Sequence, residues 1–414
     1  PLYALESLLE GAERNTNTAA GLLPGLCQLE IEPARAEQFA ALRERVLALA
    51  DPRACDAQGK PPLLLAIPHL PLDWIERLLA IGADANAQDP DGRSALSALA
   101  WSRRADAREI APLLIRAGAD PAQKARDGTT AAGIARLTGQ VELATLLDWP
   151  AGAHPGHALD GRSVAAAGKR GDLATLDRLL SLGLDVDGVD EQGATALLHA
   201  VGTGQLHLCK ALHERGADLN HVSTRGVAPL AAAILAGRST VVDWLLARGV
   251  DIESVLLGRM TALALAAACL RLPLVESLLQ RADPEGRAAA DSPLQATLAL
   301  VDDPTRPIAA IQAVLSRLLE ARANPDRPDA DGRTPLLRLL GSGRVEPSMR
   351  DETRLQPIVL TLLQGGANPN APDRSGRTPL HWACRHGLVQ CGGTLLELGA
   401  DPRVTDDARQ MPID

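Results

Sequence analysis

The stretch that decides the fold reads Ser375-Gly376-Arg377-Thr378-Pro379-Leu380-His381-Trp382-Ala383 and closes at Gly399-Ala400-Asp401. Gly376 behind a polar residue supplies the positive φ of a tight turn. Thr378 then caps a helix, and Pro379 sits in its first turn, where a missing N–H costs nothing. Gly387 ends that helix. The double leucine Leu395-Leu396 lies on the buried face of a second helix, which Gly399-Ala400-Asp401 terminates.

The same phrases recur outward from this unit. The closing phrase returns as Gly82-Ala83-Asp84, Gly118-Ala119-Asp120, Gly183-Leu184-Asp185, Gly216-Ala217-Asp218, Gly249-Val250-Asp251 and Gly366-Ala367-Asn368. The steps 183 to 216, 216 to 249 and 366 to 399 are each 33 residues. The opening returns as Asp331-Gly332-Arg333-Thr334-Pro335-Leu336 and, more loosely, at 91–96, 192–197 and 225–230. A 33-residue period with Thr-Pro-Leu-His-x-Ala and a Gly-Ala-Asp ending resembles the ankyrin repeat. The resemblance spans residues 56–414, sharpest at 373–401 and weaker at 56–88, 125–148 and 284–326. It implies an all-α fold: an ankyrin-type α-solenoid of stacked helix-turn-helix repeats with projecting turns.

Composition agrees with that class. A chain of 414 residues is long for one core, but each repeat of a solenoid buries itself only against its neighbours. Hydrophobic residues make up 46% and aromatics only 2%, so Ala and Leu must build thin helix layers. The net charge of −9 opposes a nucleic-acid partner, which usually needs a basic face. With Tyr3 and Phe39 as the only Tyr and Phe, platforms for stacking bases are also scarce. Lysine occurs only at Lys60, Lys124, Lys169 and Lys210 while arginine is abundant, which points to a GC-rich, bacterial genome. A chain selected against lysine modification inside a host cell is the sharper alternative. The six cysteines are dispersed rather than set in a disulfide framework, so buried free thiols and a cytoplasmic setting are expected. A secreted effector, or a soluble domain of a larger anchored protein, is the alternative. No apolar run is long enough to insert into a membrane. The sequence begins Pro1-Leu2-Tyr3, and Met411-Pro412-Ile413-Asp414 overlays the Thr-Pro-Leu-His slot, so a longer parent protein is expected.

Four segments are expected along the chain. Residues 1–55 read as a helical N-terminal cap or degenerate repeat, with amphipathic helices at 2–13 and 34–50. A first block covers 56–148, and a Pro/Gly-rich joint lies at 149–160. A second block covers 161–414, with insertions expected as loops near 301–307 and 341–353 and an ending inside a repeat. In repeat proteins such loops gather on one face, often the binding face.

Little in the sequence points to catalysis. The glycines follow the repeat period, and no phosphate loop of the Gly-x-x-x-x-Gly-Lys-Ser/Thr form is present. His154 and His157 are close, but a proline-containing loop gives no helical metal face, and His207 and His213 are six apart, which is not good spacing for two ligands on one helix. Cys384 and Cys391 read as packing thiols, with a redox pair as the minor alternative. By the resemblance, His381 ties adjacent repeats together. No catalytic residue, metal or cofactor is expected.

The expected function is that of a non-enzymatic scaffold that binds a partner protein through a concave groove and its turn tips, as the resemblance implies. Arginine dominates the turn tips, at Arg225, Arg333, Arg374 and Arg377 among others, and its planar fork suits carboxylates and aromatics. Register along the first helices places Trp101, Leu235, Leu265, Trp382, Arg385 and His386 in the groove. An apolar groove edged by Trp is a binding feature. Two other readings stand beside this one: the substrate-recognition part of a larger enzyme, and a bacterial effector that binds a host protein. Oligomeric state is left open.

Overall fold

The structure is a computed structural model and describes residues 22–27, 46–47, 51–149, 157–252, 260–285, 292–329, 331–341 and 351–413. The described residues are helical. Their β character is limited to isolated bridges such as Gln88 with Ser94 and Val189 with Thr195, which pinch the projecting turns. The chain forms two compact units, Pro1–Ala167 with Asp172–Gly188, and Gly168–Gly171 with Val189–Asp414.

The first unit carries α1 (Leu22–Cys27), α2 (Pro62–Ala66), α3 (Leu72–Ala80), α4 (Ala95–Ser102), α5 (Ala107–Arg116), α6 (Ala131–Leu137), α7 (Val141–Leu147), most of α8 (Gly161–Arg170) and α9 (Leu173–Ser181). First helices stack on first helices, α2 on α4 on α6, and second helices on second helices, α3 on α5 on α7. Helix α1 packs against α2. The expected N-terminal helices at 2–13 and 34–50 lie outside the described residues, apart from the buried Val46 and Leu47. Residues 150–156 of the expected joint also lie outside them; just beyond, Leu159 N–H donates to Arg116 O at 2.6 Å.

The second unit alternates in the same way: α10 (Ala196–Thr203), α11 (Leu206–Glu214), α12 (Pro229–Leu235), α13 (Ser239–Ala247), α14 (Ala262–Ala268), α15 (Leu272–Leu279), α16 (Pro293–Leu298), α17 (Ile308–Glu320), α18 (Pro335–Gly341), α19 (Glu352–Gln364), α20 (Pro379–Arg385) and α21 (Val389–Glu397). The first helices α10, α12, α14, α16, α18 and α20 form one continuous row.

Local chemistry starts and stops these helices. Ser94, Thr130, Thr195, Thr261 and Ser292 each accept the N–H three residues ahead through the side-chain oxygen. Capping of this kind contributes about 1 kcal/mol per helix. Close layers then need small residues. A Cβ on Gly168 would stand 2.4 Å from that of Ala196, so only glycine lets these helices meet. The core is Leu, Ile, Val and Ala throughout, as in the run from Ala262 to Ala267.

The surplus residues of the two long units are part loop and part helix. Helices α17 and α19 are 13 residues each, against 9 for α13 and α21, so about one turn of the surplus is helix. Residues 301–307 form an ordered turn in which Asp303 Oδ1 accepts from Thr305 N at 2.9 Å and Thr305 Oγ1 at 2.6 Å. Residues 342–350 lie outside the described ones. Helix α8 starts on Gly161, and Asp160 Oδ1 accepts the N–H of Arg162 at 2.9 Å.

Candidate functional site

The groove of the second unit is framed by an aspartate five residues ahead of the helix cap. Asp373 Oδ1 accepts the N–H of Ser375 at 2.8 Å and of Arg377 at 3.0 Å, which closes the turn. Asp190 does the same for Gln192 and Ala194, and Asp329 for Asp331 and Arg333. One carboxylate oxygen is thereby committed to the backbone. At Asp373 and Asp190 the other meets a side chain of the first helix, while at Asp329 it meets Arg333 of the turn itself. Trp382 Nε1 donates to Asp373 Oδ2 at 3.0 Å, and His199 Nε2 lies 2.9 Å from Asp190 Oδ2.

Trp382 is the centre of a cluster of side chains. Its indole lies against Gly341, where an added Cβ would stand 3.2 Å from the ring. Arg377 and Arg385 each place a guanidinium carbon 5.7 Å from the ring centroid. The His386 ring is 5.5 Å away and tilted by 55°, and His386 Nδ1 is 2.9 Å from Leu340 O. Arg377 is itself held by Asp406, whose Oδ2 is 3.3 Å from Arg377 Nε. The backbone N–H of Gln410, then Arg377, keeps the Asp406 carboxyl below the ordinary range despite desolvation. At Asp190 burial is the largest influence and raises the carboxyl, but the N–H groups of Ala194 and Gln192 together with His199 outweigh it and leave it lowered. Both carboxylates are charged at neutral pH, so the frame around the groove is fixed by ionised acceptors.

Below the cluster the repeats are tied by His381. Its Nδ1 accepts the Thr378 N–H at 3.1 Å in a capping box, and its Nε2 meets Gln410 O of the next turn at 3.1 Å. Residues 163–255 and 308–406 match the family model of ankyrin repeats in three copies. These two stretches are ankyrin repeats. Two solved structures are similar over part of the chain. The ankyrin repeat domain of Bcl-3, a member of the IkappaB protein family, is 26% identical over 54% of this chain and 93% of its own, with a TM-score of 0.45. The human ASB11 ankyrin repeat domain is 23% identical over 58% of this chain and 98% of its own, with a TM-score of 0.43.

Of the groove and turn-tip residues read from the sequence, the ankyrin repeats bring Arg377, Trp382, Arg385 and His386 together. Arg374 is exposed on the same turn, and Arg225 is exposed on a turn of its own. Arg333 is engaged by Asp329 at 3.1 Å and Asp331 at 2.6 Å. Leu235 is 39% exposed. Leu265 is only 4% exposed and belongs to the core, because α14 is flanked on both sides by Ala- and Leu-rich first helices. Trp101, 53% exposed, lies in the first unit, where it lines a cleft of about 400 Å³ with Leu64, Leu65 and Pro68.

Sequence reasoning missed the turn aspartates. Their signal was present, since Asp56 to Asp89 and Asp373 to Asp406 are both steps of 33. The histidines grouped around α11 each have a structural partner where a contact is seen: His213 meets the Trp244 ring edge-on at 5.8 Å, and His221 Nε2 lies 3.0 Å from Gly193 O. His154 lies outside the described residues. Among the described residues no group of three or more His, Cys, Asp or Glu could hold a metal ion, and no helix is long and apolar enough to cross a membrane.

Proposed function

We propose that this chain is a non-enzymatic protein-binding module and that the groove around Trp382 is its principal docking surface. Ankyrin repeats generally mediate protein–protein interaction, and such domains are typically non-enzymatic. The observation that carries the assignment is the framing of Trp382. A half-buried indole is held by a hydrogen bond to Asp373, seated on Gly341 and flanked by two guanidiniums. An aromatic so fixed loses little entropy when a partner covers it, and Trp and Arg are the residues on which binding energy concentrates.

Affinity capture from the source cell, read by mass spectrometry, tests this assignment. The protein is compared with its Trp382→Ala/Arg385→Ala variant, with helical circular dichroism as the control for folding. Partners captured by the native chain should be lost from the variant. An unchanged set of partners on a folded variant would remove the groove from the function.

A further inference from the structure

A second surface stands out along the edge of the second unit, where first helices turn into second helices. Gln205, Arg238 and Arg271 precede α11, α13 and α15 and follow one another at 33-residue steps. Each side chain folds back onto a glycine of the preceding repeat. A Cβ on Gly171 would stand 2.6 Å from Gln205 Oε1, on Gly204 2.8 Å from Arg238 Cδ, and on Gly237 3.0 Å from Arg271 Cζ. These seats exist only because the residue beneath is glycine. Arg238 is further fixed by its Nε donating to Gly202 O at 3.4 Å. Both arginines remain exposed, as do Lys169 and Arg170 at the end of α8.

The charge on this edge runs against the rest of the molecule. The chain is net −9, and many of its arginines are paired, among them Arg306 with Asp303, Arg317 with Glu320 and Arg377 with Asp406. Among the described residues no carboxylate stands within ion-pair reach of Lys169, Arg170, Arg238 or Arg271. Helix C-termini favour a nearby cation, which accounts for a positive residue after a first helix. It does not account for the stem of Arg238 and the guanidinium of Arg271 each seated on a glycine and left without a counter-charge in an acidic chain.

We infer that this edge is a binding site for an extended, acidic protein segment whose carboxylates recur every third residue. Packed helices stand about 8–10 Å apart, and a polyproline-II segment advances about 3.1 Å per residue with about three residues per turn, so every third side chain returns to the same face one repeat further on. Successive carboxylates then meet Arg238 and Arg271, and Gln205 donates its amide to the next position. Arginines seated in this way lose less freedom when they pair with a carboxylate. The inference does not depend on the Trp382 groove, whose residues it does not use.

The test is fluorescence anisotropy of the whole chain with two labelled peptides of equal composition. One carries glutamate at every third position, and the other carries the same glutamates clustered at one end. The spaced peptide should bind more tightly, and its affinity should fall with added salt. Arg238→Gln/Arg271→Gln should weaken it roughly fivefold to tenfold, at surface ion-pair strengths. Trp382→Ala should leave it unchanged, which separates this site from the groove. Gln205→Arg should tighten binding and decides the matter if the double variant fails to fold. Equal affinity for the two peptides, or no response to Gln205→Arg, would overturn the inference. So would tighter, Arg271-dependent binding of single-stranded DNA or of phosphatidylserine vesicles.

Discussion

Gln295 Nε2 donates to the carbonyl of Arg327 at 3.0 Å, across 32 residues of chain. Gln295 occupies, in the repeat that departs most from the pattern, the slot that His381 fills in the sharpest one. Both donate to the carbonyl of the following turn. Gln295 is buried, at 1% exposure, so its amide cannot exchange this partner for water. Gln295→Leu keeps the volume and removes the donor. It should cost about 1–3 kcal/mol, the penalty of an unsatisfied buried carbonyl. Gln295→His should recover much of that loss. Urea unfolding supplies the stability, and hydrogen exchange over residues 327–333 supplies the location. A Leu variant as stable as the native chain would show that the bond is incidental.

Arg354 plays the equivalent part for the 301–307 turn. Its guanidinium donates to Val301 O at 3.1 Å, Asp303 O at 2.7 Å and Arg306 O at 2.9 Å. One cation therefore satisfies three carbonyls of the 301–307 turn from the start of α19. Arg354→Lys retains the charge but lacks the planar fork that spans them. Both Arg354→Ala and Arg354→Lys should be destabilised by roughly 1.5–3 kcal/mol, the value of charged hydrogen bonds. Faster exchange of amides at 301–308 should accompany the loss. A Lys variant that matched the native chain would reduce the contact to simple charge.

Asp406 gives a dependence on pH with a definite sign. Its native carboxyl titrates below the unfolded value of about 3.9, held down first by the Gln410 N–H and then by Arg377. A lowered native value means that the stabilisation is complete above the unfolded value and is lost as pH falls through the native one. Asp406→Asn retains an oxygen for the N–H groups of Ala408 and Gln410 but takes the charge from Arg377. Its melting temperature should lie below the native one at neutral pH. The gap should close once the pH is well under about 3.9. A gap of constant size across that range would show that the Arg377 pairing contributes nothing.

How much of this was legible can be argued from particular residues. Thr378, Pro379 and Gly387 act locally, so capping, first-turn and helix-ending roles follow from sequence alone. Gly82, Gly118 and Gly399 likewise adopt the positive φ that their place in the closing phrase demands. The Trp382 cluster was readable because groove positions recur in helical register. Leu265 was misplaced because register gives direction but not the size of the neighbours that cover it. The extra turns of α17 and α19 went unread because inserted residues carry no mark of which side of a helix boundary they join. The arginines seated on Gly204 and Gly237 were invisible for another reason: both partners had complete local explanations, and only the stacking of repeats brings them together.

Cys384 and Cys391, seven residues apart, should differ sharply in reactivity. Cys384 is exposed, while Cys391 is fully buried and its thiol is pushed up to about 12, first by burial and then by Glu352. Cys209 is pushed up to about 12 by burial. Only the thiolate is nucleophilic, so a rise from 9.0 to about 12 lowers the reactive fraction at mildly alkaline pH by about a thousandfold. In the folded chain a thiol reagent should modify Cys55 and Cys384 promptly, and reach Cys209 and Cys391 only through opening. Glu352 also accepts the N–H of Cys391 at 2.9 Å, which caps α21 from the neighbouring repeat. Glu352→Gln removes the negative charge that raises the thiol and weakens that cap. Both effects speed the modification of Cys391 while leaving Cys209 as an internal reference. Mass spectrometry of tryptic peptides reads each site separately. Modification of Cys391 at the rate of Cys384 in the native chain would mean that α21 does not close over it.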